Sequence, residues 1–131
     1  MKKSSLFVIA VLSIVSTLAV SAQGKKGMKE MKEVTITGEV IDQKCYLTGM
    51  NGARGEAHKE CAISCIKGGL PVGVLEDKTE KVYTVVPKAG MKGANEELVQ
   101  YAAEKVKLTG MVVHKGGQNL LVYTKVEPVK Q

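Results

Sequence analysis

Cys45, His58, Cys61 and Cys65 fall within one stretch of 21 residues, and the rest of the chain has no cysteine and one histidine, His114. Thiolate and imidazole are the side chains that best bind borderline and soft metal ions. On a helix, positions 58, 61 and 65 lie within an arc of about 60°. His58, Cys61 and Cys65 are therefore expected on one stripe, with Cys45 reaching it from the end of a preceding strand. The resulting Cys3His set is a candidate tetrahedral site for one zinc or copper ion. The spacing Cys-x12-His-x2-Cys-x3-Cys matches none of the common zinc templates. Thiolates also suit Cu(I), and Met28, Met31 and Met50 are possible thioether donors. Three thiolates around a divalent ion leave one negative charge, which Lys44, Arg54, Lys59 and Lys67 are close enough in sequence to offset.

The same residues admit two other chemistries. A disulfide is the first. Cys61 and Cys65 in an intact helix have Cβ atoms about 5–6 Å apart, whereas a disulfide needs roughly 3.5–4.5 Å. Cys45 with either helix cysteine is easier, and would staple a module that binds an oligosaccharide, a peptide or a protein partner. Thiol-redox chemistry is the second. Three is an odd number, so at least one thiol must be free, bridged to another molecule or bound to metal. Enzymatic catalysis finds little support: no Cys-x-x-Cys, Gly-x-Ser-x-Gly or phosphate-loop pattern occurs, and no catalytic residue is nominated.

The setting of these thiols follows from the start of the chain. Lys2 and Lys3 precede an apolar run from Leu6 to Val20, and Val20-Ser21-Ala22 offers small residues at a cleavage position. Residues 1–22 read as a signal peptide, and the run is short for a membrane span. The mature chain is expected to be exported, periplasmic or secreted, without stable membrane insertion; an uncleaved anchor is the alternative. Loss of Lys2 and Lys3 lowers the net charge from +6 to +4. Residues 23–33, QGKKGMKEMKE, read as a mobile basic arm. Residues 34–127 are enough for a single domain, and 128–131 form a tail.

The elements that must position the cluster can be read in order. Val34–Asp42 is a β-branched strand with a bend at Gly38. Cys45–Gly55 reads as a loop, and Glu56–Lys67 as a helix stopped by Gly68-Gly69. Pro71–Glu76 and Lys81–Val86 form a hairpin. Asn95 is expected to cap a short helix through Leu98, Tyr101 and Ala102. Lys105–His114 and Asn119–Val126 are the last two strands. Five strands with a helix between the third and fourth is the order of an OB-fold barrel; an open α+β sheet is the alternative. Bends at Gly38 and Gly110 suit strands that coil to close a barrel. An OB-fold binds through its first and fourth loops, which here carry the Cys/His cluster and His114. Nucleic acid is not an expected partner, because the excess lysine sits in the arm and the chain is expected to be exported.

The run Gly38-Glu-Val-Ile-Asp42-Gln-Lys-Cys45, followed by His58-Lys-Glu-Cys61-Ala62-Ile-Ser-Cys65 and Gly68-Gly69-Leu-Pro71, resembles a group of small exported, uncharacterised bacterial proteins, some of them described as OB-like. The likeness spans about residues 34 to 126, and His-x-x-Cys-Ala-x-x-Cys is its most specific part. It implies a fold and a site location, and no reaction.

Overall fold

The computed structural model describes residues 32–130. The expected signal peptide and nearly all of the basic arm lie outside the described residues. Five strands close into a barrel in the order β1-β2-β3-β5-β4. They are β1 (Glu33–Asp42), β2 (Val72–Glu76), β3 (Val82–Pro87), β4 (Lys105–Lys115) and β5 (Gln118–Pro128). This is the five-stranded OB-like barrel expected from the order of elements.

Closure depends on β1 serving two neighbours. Its first half pairs with β4 and its second half with β2, and Gly38 stands opposite both Val106 and Glu76. A Cβ at Gly38 would run into the backbone of Leu75, so only glycine allows the strands to approach here. Gly110 plays the same part between β4 and β5, where the register slips beside Thr109 and a Cβ would strike the Val122 carbonyl. The two glycines read as bends are thus places where backbone meets backbone. A parallel pairing of Thr84–Pro87 with Leu120–Tyr123 completes the barrel.

The barrel interior is aliphatic, with Val40, Val74, Val106, Leu108 and Leu121 fully buried. Leu98 and Ala102 plug one end, from the short helix α3 (Asn95–Leu98) and the 3-10 turn that follows it. Tyr83 and Tyr123 are also core residues, their hydroxyls directed to Glu76 and Glu97 at 3.4 and 2.6 Å.

Two local expectations are corrected. The stretch after β1 is not simply a loop: α1 (Gln43–Thr48) starts directly from the strand, and a 3-10 turn covers Met50–Gly52. Six residues are too few to show a helical period, but Asp42 caps the helix and Gly49 ends it in the left-handed region at φ 69°. Asn95 does not cap α3 with its side chain. Its amide instead donates to the carbonyls of Ile66 and Leu70, at 2.8 and 2.7 Å. It ties α3 to the end of α2 (Lys59–Lys67).

Candidate metal centre

The site is assembled where the covered half of β1 runs into α1 and meets α2. From Gly38 onward β1 is buried on both faces. At its end Asp42 is 1% exposed, and its carboxylate accepts the backbone N–H groups of Lys44 and Cys45 at 3.2 and 3.0 Å. This cap fixes Cys45 in the first turn of α1, with its side chain buried. The start of α1 is held further by Gln43, which donates from its backbone to Pro71 and from its side chain to Val72.

Cys61 and Cys65 come from α2, one turn apart. The helix buries Ala62 and Ile66 against the barrel, which places the two half-buried cysteines on the adjoining stripe. Its C-terminus closes with a Schellman arrangement. Leu70 N–H donates to Cys65 and Gly69 N–H to Ile66, and Gly69 takes φ 92°. Ahead of α2, the loop is tied to the barrel by buried Glu39, which accepts Gly55 N–H at 2.6 Å and pairs with Arg54 at 3.6 Å. Gly55 in turn receives the His58 N–H at 3.0 Å.

These constraints bring the Cys45, Cys61 and Cys65 sulfurs within 4.8 Å of one another. All three thiols are free. His58 arrives differently from the expected stripe. It belongs to a 3-10 turn (Glu56–His58) ahead of α2, so the helical 100° step does not carry back to it. A ring nitrogen of His58 instead forms a second group with Asp42 and Cys45, again within 4.8 Å. Cys45 is common to both groups. His58 is 3% exposed, and its Nε2 is buried without a hydrogen-bond partner. Such an atom costs about 1–3 kcal/mol unless something binds it.

The electrostatics oppose negative charge on the thiols. A hydrogen bond to Asp42 pushes the Cys45 thiol from 9.0 up to about 12, and burial and the Asp42 charge add to the effect. Cys65 is also raised, first by burial and then by the Asp42 charge. Two of the lysine and arginine side chains expected to balance the thiolates are already engaged. Arg54 pairs with Glu39 and Glu80, and Lys59 with Glu56 and Glu104. Lys44 and Lys67 are exposed.

Asp42 is the site residue that sequence reasoning missed. In the sequence it stands only at the end of the first strand and within the run that carries the resemblance, although aspartate is a favoured helix-cap residue. His114 lies apart from the cluster, on β4, with Nδ1 2.7 Å from Asn119 Oδ1. A groove of about 370 Å³ lies beside β3 and the β4–β5 turn. Two of the amide side chains that line it, Gln43 and Asn119, already bond within the protein. Among the described residues, the buried polar side-chain atom left without a partner is His58 Nε2, beside Cys45 and Asp42. No family model matches the chain, and no curated protein or solved structure is significantly similar to it.

Proposed function

We propose that this is a small exported metal-binding protein whose ion is held by Cys45, Cys61 and Cys65. The carrying observation is the convergence of three free thiols from two separate helices within 4.8 Å. Thiols that close, with no disulfide among them, suit a thiophilic ion such as zinc or Cu(I). His58 is grouped with Cys45 and Asp42 and not with Cys61 and Cys65, so it would complete this ion's set only by moving toward the helix thiols. Cys61 and Cys65 are only half-buried, whereas Cys45 is buried, which favours metal handling over a sealed structural site. Export rests on the basic and apolar start of the chain.

Anaerobic titration of the reduced protein with zinc and with Cu(I), against chelators of known affinity, tests the reading. Changing Cys45, Cys61 or Cys65 singly to serine should weaken binding at least about tenfold, since each removes a direct ligand. Equal affinity in all three variants would sink the proposal. A disulfide-stapled module would show one titratable thiol when purified without reductant, and no metal uptake once reduced.

A further inference from the structure

Resting on the metal-binding reading above, we infer that the centre holds two metal ions that share the Cys45 sulfur, the second bound by Asp42, Cys45 and His58. The two donor groups each meet the distance requirement separately, and they intersect only at Cys45. A thiolate has lone pairs enough to bridge two ions, which would then stand about 3–4 Å apart, as in other two-metal sites.

Three independent features of the second group point to a ligand. The first is the orphaned Nε2 of a histidine that is 3% exposed. The second is Asp42, 1% exposed, whose two oxygens accept only backbone N–H groups and the Cys45 thiol. A carboxylate has about four acceptor positions, so capacity remains for a cation. The third is charge. Once the three thiols have released their protons to solvent, the three thiolates and Asp42 carry four negative charges. One divalent ion leaves two of them uncompensated around the buried Asp42 and Cys45, and two divalent ions cancel them. Buried charge that is not compensated is strongly unfavourable. The neighbouring Arg54 and Lys59 side chains are already paired with glutamates. The second ion would have three protein ligands and so keep a coordination position open, the arrangement of an exchangeable or reactive ion rather than a sealed one.

The test is stoichiometry. The reduced protein is loaded anaerobically with excess zinc, desalted and weighed by native mass spectrometry. Two zinc ions per chain are expected, falling to one in Asp42→Asn and in His58→Ala. Asparagine keeps one of the two acceptors at the helix cap and is a favoured cap residue, so Asp42→Asn is expected to fold. Cobalt(II) titration of the unaltered protein provides a readout free of any variant. The second equivalent should diminish the paramagnetic resonance signal of the first, because a bridging thiolate couples the two spins. A single ion in the unaltered protein overturns the shared site while leaving the three-thiol reading intact. Two ions that persist in both variants place the second elsewhere and also overturn it. No ion at all removes both readings.

Discussion

Asp42 acts on Cys45 in two ways, capping its helix through the backbone and holding its thiol proton through the side chain. The proton is therefore bound more tightly in the folded chain than in the unfolded one. For a group raised in this way, the stabilisation is fully present below the unfolded value, here 9.0, and is lost as pH rises toward about 12. Cys65 and Tyr123 are raised as well, and act with the same sign. The reduced, metal-free protein should lose thermal stability as pH rises above 9, and Asp42→Asn should flatten that loss. Thermal melts at half-unit steps from pH 8 to 11 check it; identical slopes in the two proteins would contradict the role given to Asp42. Metal competes with the same protons, so apparent affinity should rise with pH, with about three protons released per ion held by three thiols. Cys65→Ser should lower metal affinity and the melting temperature of the metal-loaded protein together. Unchanged metal content in that variant would remove Cys65 from the ligand set.

At the scale of elements, α2 supplies two of the thiols and is fastened at its C-terminal end. Gly69 at φ 92° closes its C-terminus, and Asn95 satisfies the Ile66 and Leu70 carbonyls. Gly69→Ala should cost about 1 kcal/mol, from the left-handed backbone that alanine resists. Asn95→Ala should cost about 1 kcal/mol, since two part-buried acceptors lose their donor. Denaturant melts measure both, and a neutral Asn95→Ala would show that water replaces the amide. Much of this arrangement was legible in sequence. Gly68-Gly69 marked the helix end, and the β-branched runs marked the strands within a residue or two. The role of Asn95 was not legible, because an asparagine before Glu-Glu-Leu reads as a local cap. Its partners lie 25 and 29 residues earlier. The rotation of His58 off the cysteine stripe was hidden for a related reason. A helical pattern in sequence does not separate a 3-10 turn from the α-helix it leads into.

For the whole molecule, the barrel is what makes a cluster out of distant parts. Gly38 lets β1 pass from β4 to β2, Gly110 lets β4 and β5 approach at their register slip, and the closed sheet then fixes the end of β1 against α2. Gly110→Ala should destabilise the domain by about 2–4 kcal/mol, because its Cβ would meet backbone that cannot rotate away. A variant as stable as the parent would mean that the β4–β5 slip is softer than the packing indicates. The sequence order of strands carried the fold class, since five strands with a helix after the third have few ways to close. It carried the location of the thiols less completely, because Cys45 reaches its partners through a six-residue helix with no visible period. The central claim is that these thiols stay reduced around metal. Its most direct test is elemental analysis of natively purified protein, paired with a thiol count after denaturation. At least one equivalent of zinc or copper and three titratable thiols are expected. No metal and one titratable thiol would contradict the claim, and assign the cysteines to a disulfide.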